Sequence, residues 1–398
     1  MPMTKARVYL NHMSLINALG SDHQEILSKL ITGDTSNMTP YTTQLSPKTF
    51  IAGKVTPSLP AIPQHLSKHQ TRNNQLILHC LQQLQPAFDK LQSSTPNHRI
   101  GVVLGTSTSG IAEGELALNH HHKQGEFPAS FDYSQIQMSS PAAFIADYWG
   151  ITGPTYSVST ACSSSGKVFA SARSLIQNNL CDAVIVGGAD SLCDMTLHGF
   201  NALEAISPAL TNPFSSNRSG INIGEGAALF IMTRDPSAIE LRGVGESSDA
   251  HHISAPHPEG QGAKEAMLMA LEEAGLSGDD IDYLNLHGTA TELNDAMESQ
   301  AVQAVLSHKT HCSSTKPLTG HTLGAAGATE LAFCWLLLQQ TDNERFLAKH
   351  CYDGDYDPAL APITLADGKA VSSLTTAMSN SFAFGGNNVS VIIASSER

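Results

Sequence analysis

Tyr156-Ser-Val-Ser-Thr-Ala-Cys-Ser-Ser-Ser-Gly166 is a β-prone stretch that breaks at a turn of small residues and gives way to a helix-prone segment beginning Lys167-Val-Phe-Ala. The corner makes Cys162 a candidate nucleophile. A side chain at a strand-to-helix turn projects from the sheet edge, and the unpaired N–H groups of the first helical turn lie close to its sulfur. The helix dipole is expected to favour the thiolate, the reactive form. A free cysteine is most often buried and inert, but small hydroxyl neighbours instead of bulky aliphatic ones argue for chemistry here.

The corner is one instance of a wider pattern. Ile100-Gly-Val-Val-Leu104 and Ala183-Val-Ile-Val186 read as buried strands, and Lys264-Glu-Ala-Met-Leu-Met-Ala-Leu-Glu-Glu-Ala274 reads as an amphipathic helix. Alternation of such pieces is that of an α/β protein. A further strand near Arg242-Gly-Val-Gly-Glu246 opens a second half, so the natural divide falls near residue 240, giving halves 1–240 and 241–398. Residues 34 to 66 and 351 to 369, rich in Thr, Ser, Pro, Asp and Gly, read as loops or short excursions.

Two histidines lie at comparable places. Tyr283-Leu-Asn-Leu-His-Gly-Thr-Ala-Thr291 is an apolar strand ending in His287 and a turn, and in Lys316-Pro-Leu-Thr-Gly-His321 the second ring precedes a small-residue helix start. A lone histidine in such a place is more often a structural hydrogen-bonding group than a catalyst. What changes the reading is the joint order of the Cys162 corner, His-Gly-Thr-Ala-Thr, Lys-x-x-x-Gly-His and Asn380-Ser-Phe-Ala-Phe-Gly-Gly386. On these motifs the chain resembles the elongating β-ketoacyl-acyl carrier protein synthases, condensing enzymes with a Cys-His-His triad. Within that family, Gly105-Thr-Ser-Thr-Ser-Gly110 and Gly187-Gly-Ala-Asp-Ser-Leu-Cys193 are similar to ketosynthases of bacterial aryl polyene pathways.

The resemblance implies a thiolase-like fold, five layers α-β-α-β-α built from two similar halves. It implies that Cys162 accepts the acyl group, with the N–H groups of Cys162 and Phe384 as the oxyanion hole, while His287 and His321 donate to a malonyl thioester carbonyl as carbon dioxide leaves. Lys316 is placed near the two rings, with Asp295 and Glu298 as candidates to balance its charge. Thr289 and Thr291 alternate on an extended pair, so their hydroxyls either bind the amides of a phosphopantetheine arm or cap the next helix. Glu330, Asn285, Ser379 and Asn380 match positions around a monovalent cation or an ordered water, and an internal hydrogen-bond network accounts for them equally, with no metal expected. Phe384 is either the gate of the acyl pocket or plain core. Ala383 and Asn387 depart from the commoner Phe-Gly-Phe-Gly-Gly-Thr-Asn, and a Cβ at 383 should stiffen the gate.

Composition limits the partners. A formal charge of −14 gives no attraction for nucleic acid or an anionic membrane, and no stretch is apolar enough to span a bilayer. Lys68 and Arg72 offer a local basic landing site for an acidic acyl carrier protein, or an ordinary solvated helix face. Seven cysteines, all singly placed, read as reduced thiols in a cytoplasmic protein. His120-His-His122 reads as a solvated loop, and Gly224-Glu-Gly226 as a tight turn beside a core strand. Thr106 to Ser109, Thr108 in particular, are expected to shape a pocket for a rigid chain. No permanent cofactor is expected, since substrates arrive on the phosphopantetheine of a carrier. The expected assembly is a homodimer or a heterodimer with a chain-length-factor-like subunit. Three other functions compete: a non-condensing partner subunit, which would usually lack the nucleophile; a thiolase or chain-initiating synthase, expected to offer Asn at the second His position; and a hydrolase of carrier thioesters, which would give free acid as its sole product.

Overall fold

A computed structural model describes residues 6–341 and 344–396. Eleven strands carry the architecture: β1 (Tyr9–Ile16), β2 (Ile100–Gly105), β3 (Thr155–Val158), β4 (Ala183–Asp190), β5 (Gly226–Thr233), β6 (Ile239–Ser248), β7 (Tyr283–Asn285), β8 (His311–Ser313), β9 (Thr364–Leu365), β10 (Thr376–Phe382) and β11 (Asn387–Ser395). They stand in the order β9-β8-β7-β10-β11-β6-β1-β5-β4-β2-β3. From β1 outward the pairings run antiparallel, antiparallel, parallel, parallel. From β6 outward to β8 they repeat that sequence. Where the two sets meet, β1 and β6 share only the register pair Tyr9 and Glu240.

Strands covered on both faces need apolar residues at every position rather than at alternate ones. Accordingly β4 and β5 are buried along their whole length. Helices Arg72–Gln92 and Ser140–Trp149 pack with β2, β4 and β5 in one core, and helices Gln261–Ala274 and Glu292–Val305 pack with β7, β10 and β11 in another. Between the two sets lie Ser164–Gln177 and Ala326–Leu338, giving the α-β-α-β-α layering of a thiolase-like fold. The second of these is apolar around almost its entire circumference, the signature of a helix with no solvent face. A Cβ at Gly327 would sit 2.6 Å from the Gly166 nitrogen, so this glycine lets the central helices touch backbone to backbone.

Several local expectations need correction. The helix after Cys162 starts at Ser164, not Lys167. Ser164 Oγ accepts from Thr160 N–H at 2.9 Å and donates to the Ala161 carbonyl at 2.6 Å, so the hydroxyls stabilise the helix entry. Residues 34 to 66 contain a hairpin, Met38–Thr42 with Thr49–Gly53, whose end pairs with Ile223–Gly224. Gly224-Glu-Gly226 is therefore the junction of a short strand with β5, and Gly224 is required because a Cβ there would fall 1.9 Å from the Thr319 carbonyl. His120 to His122 lie at the C-terminal end of helix Ile111–Gln124 rather than in a loop, with His121 stacked on Phe127 at 4.4 Å.

Candidate active site

The central helix Ser164–Gln177 and the ends of β7 and of the Lys316–Thr319 helix bring three side chains together. Cys162 follows Ala161, which is held at φ 51°, a conformation costly for a residue with a Cβ and maintained by its neighbours. Those neighbours are Ser164 Oγ and Ser107 Oγ, both donating to the Ala161 carbonyl. His321 Nε2 lies 3.0 Å from Cys162 Sγ. The His287 and His321 rings meet edge to face at 5.4 Å, and the sulfur and one nitrogen of each ring fall within 4.8 Å of one another.

Both rings are placed by their backbones. His321 N–H donates to the Asn222 carbonyl at 2.7 Å, and its own carbonyl accepts from Gly224 N–H at 3.0 Å. His287 N–H and Gly288 N–H each donate to one oxygen of Glu298 at 2.7 Å. The Lys316 ammonium donates to the His287 carbonyl and, at 2.6 Å, to Glu330. Glu330, rather than Asp295 or Glu298, is thus the counter-ion of Lys316. Both of those carboxylates are occupied with backbone: Asp295 accepts from Phe214 N–H at 2.8 Å and Ala290 N–H at 3.1 Å.

The electrostatics follow from burial. Loss of water, then the Lys316 charge, holds both imidazoles well below the ordinary histidine range, so they are neutral. Burial pushes the Cys162 thiol up to about 11, outweighing Lys316 and the N–H groups of Phe384 and Cys162 that favour the anion. The resting sulfur is therefore a thiol, contrary to the thiolate expected from the helix dipole. Burial likewise raises Glu298 to about 7 and Asp295 to about 6.

A cavity of about 380 Å³ opens onto this cluster, lined by Cys162, His287, His321, Thr289, Thr291 and Phe384 among others. The Thr289 and Thr291 hydroxyls lie 2.9 Å apart on its wall, and the Thr291 hydroxyl does not cap the following helix. The Phe384 N–H bonds toward the sulfur, while its ring packs on Phe200 at 5.6 Å, half-exposed in the cavity and so not plain core. Gly385 and Gly386, at φ 85° and 75°, turn the chain behind it. Asn285 Oδ1, Ser379 Oγ, Glu330 Oε2 and Asn380 Nδ2 are buried without a protein partner, so the hydrogen-bond network expected among them is incomplete. Oxygen donors of this kind are the type a hard cation takes.

Other expected site residues lie elsewhere. Thr108 turns inward: its hydroxyl and N–H both bind Asp190 Oδ1 at 2.8 Å, Thr106 joins at 2.7 Å, and none of Thr106 to Ser109 lines the cavity. Arg72 is not a free landing site. Its guanidinium clamps Glu225, fully buried, with Nε to Oε2 at 2.7 Å and Nη2 to Oε1 at 2.5 Å. Lys68 is exposed but paired with Asp147 at 2.9 Å. Sequence reasoning missed Glu225, Asp190 and Asn222 as organisers of the site; for Glu225 and Asp190 an acid among glycines and alanines at the end of a buried strand was the available signal.

A thiol and two neutral imidazoles converging beneath a cavity, on a doubled five-layer frame, define a condensing enzyme of thiolase-like fold. The family descriptions "Beta-ketoacyl synthase, N-terminal domain" and "Beta-ketoacyl synthase, C-terminal domain" match residues 13–238 and 238–343. The chain is 34% identical over 319 residues to the mitochondrial 3-oxoacyl-[acyl-carrier-protein] synthase of Arabidopsis thaliana, covering 75% of this chain and 68% of that protein. It is 33% identical over 302 residues to nodulation protein E of Rhizobium meliloti, covering 73% and 74%. Among solved structures, the ketosynthase ApeO in complex with its chain length factor ApeC from Xenorhabdus doucetiae superposes with a TM-score of 0.94 at 43% identity, covering 98% of both chains. The chain belongs to the β-ketoacyl synthase family, and it is an acyltransferase.

Proposed function

We propose that this chain joins a malonyl unit, delivered on a carrier protein, to an acyl group held on Cys162, with loss of carbon dioxide. The observation that carries the reading is the 3.0 Å contact of His321 Nε2 with Cys162 Sγ on the floor of the cavity, with His287 beside it. In the first step the sulfur attacks the carrier thioester. The N–H groups of Cys162 and Phe384 stabilise the oxyanion, and the thiol proton goes to the departing pantetheine sulfur, so acyl transfer consumes no proton.

With its ring proton on Nε2, His321 donates to the sulfur at rest and to the malonyl thioester carbonyl once the sulfur is acylated. Neutral His287 donates to the same oxygen. As the bond between the malonyl carboxylate and Cα breaks, its electron pair is held as an enolate under these two donors. The carbon then attacks the Cys162 thioester, a carbon–carbon bond forms, and the sulfur leaves and takes up one proton from water. Lys316 and Glu298 act as positioning residues through the His287 backbone, and Thr289 and Thr291 offer hydroxyls to the amides of the pantetheine arm.

The aryl polyene pathway is the reading for the acyl chain. It is supported by Gly105–Gly110 and Gly187–Cys193, which meet in space through the Asp190 bonds to 106–108, and by the likeness to a ketosynthase paired with a chain length factor. Such a homologous subunit is the proposed partner beside the acyl carrier protein, and the divide between halves is placed near residue 240. Among the described residues no helix is long and apolar enough to cross a membrane. The seven cysteines are unpaired, which supports the proposed cytoplasmic location, and the substrates are proposed to arrive on the carrier's pantetheine. Intact-mass measurement tests the nucleophile: Cys162→Ala should carry no acyl adduct yet still release carbon dioxide from malonyl carrier protein, and an adduct on the alanine variant would refute the assignment.

A further inference from the structure

Resting on that reading, we infer that the carrier protein docks through apolar contact at the cavity mouth, on a surface whose charges repel an acidic partner. Leu203 and Leu293 line the mouth while remaining 60% and 57% exposed. Ile253, 80% exposed, stands beside the lining residue Ser254, and its carbonyl accepts from Gly385 N–H at 2.8 Å, next to Phe384. Three large aliphatic side chains exposed around one opening are a contact surface rather than scattered surface leucines.

The charges at the opening have the wrong sign for the usual ion-pair docking of an acidic carrier. Glu204 and Glu292 line it, and both are exposed. Arg218, the cation in the lining, is paired with Asp357 at 2.5 Å and has a side chain only 9% exposed. Lys48 reaches the helix leading to Leu203 but donates to Asn201 at 2.8 Å. Arg72 and Lys68 are engaged with Glu225 and Asp147. A tether must pass this mouth to reach Cys162, so its carrier must cover these residues. The partner that fits presents aliphatic residues around the tethered serine and is uncharged where it faces Glu204 and Glu292.

The test compares an acylated carrier protein with the same acyl group on free pantetheine, reading acylation of Cys162 by intact mass. The KM for the carrier should change by no more than about twofold between about 50 and about 300 mM salt, because apolar contact is not screened. Leu203→Ser with Leu293→Ser should lower the carrier-to-pantetheine specificity ratio at least about tenfold, and Ile253→Ser should lower it in the same direction. Glu204→Lys should give no improvement. A KM that rises about tenfold with salt, a Glu204→Lys variant that binds carrier better, or an unchanged ratio in the serine variants would overturn the docking mode. Failure of both thioesters to acylate the wild-type enzyme would instead overturn the condensing reading, and this inference with it.

Discussion

Lys316→Met isolates the ion pair buried between the central helix and the catalytic strand end. Lys316 and Glu330 are 1% and 3% exposed, so removing the ammonium strands a buried carboxylate. Breaking a buried pair in this way costs about 3–5 kcal/mol. At about 2.1 cal/mol/K per residue, the unfolding entropy of 398 residues is about 0.8 kcal/mol/K, and Tm should fall by about 4–6 °C. Burial already raises Glu330 to about 7 with the lysine present. The folded chain therefore binds this proton more tightly than the unfolded chain, and the contribution is lost as pH rises toward and through 7. The Tm deficit of Lys316→Met should accordingly be larger at pH 8 than at pH 6. Replacing both partners, Lys316→Met with Glu330→Leu, leaves no stranded charge and should recover at least half of the loss. Malonyl decarboxylation should stay about 10- to 100-fold low in both, because the charge-assisted bond to the His287 carbonyl, worth about 1.5–3 kcal/mol, is gone. Differential scanning calorimetry and carbon dioxide release provide the two readouts. Single and double variants whose effects add to within about 0.5 kcal/mol would refute the pairing.

Glu298→Gln exchanges one of two acceptors for a donor facing an N–H, and should slow decarboxylation about tenfold while acylation of Cys162, followed by intact mass, changes little. Iodoacetamide should alkylate Cys162 about tenfold faster per pH unit between pH 7 and pH 10, since the thiol lies near 11; a plateau by pH 8 would show a thiolate at rest. Arg72→Ala should destabilise the fold by about 3–5 kcal/mol through the stranded Glu225, visible in thermal unfolding, and should leave the KM for carrier protein almost unchanged.

The triad was legible because each member stands at the end of a strand or turn among small residues, where local sequence dictates which way the chain bends. What lies between such points was not. The partner of Lys316 is 14 residues away on a helix that the sequence shows only as uniformly apolar, and nothing local singles out Glu330 over Asp295 or Glu298. Arg72 and Thr108 look like surface groups by type, yet both turn inward onto carboxylates, Glu225 and Asp190, supplied by distant strand ends. Spacing also could not weigh burial against the helix dipole at Cys162, because desolvation depends on every segment that closes over the sulfur.

The nucleophile precedes its imidazole partner by 159 residues, on the other set of strands. At about 5–20 residues per second of synthesis, roughly 10–30 s separate their emergence from the ribosome. Throughout that interval the nascent chain carries a cysteine without its His321 partner, and helix Ala326–Leu338, greasy on every side, follows later still to fill the slot between the layers. Chemistry is thus withheld until both sets of strands and the helix between them have been made.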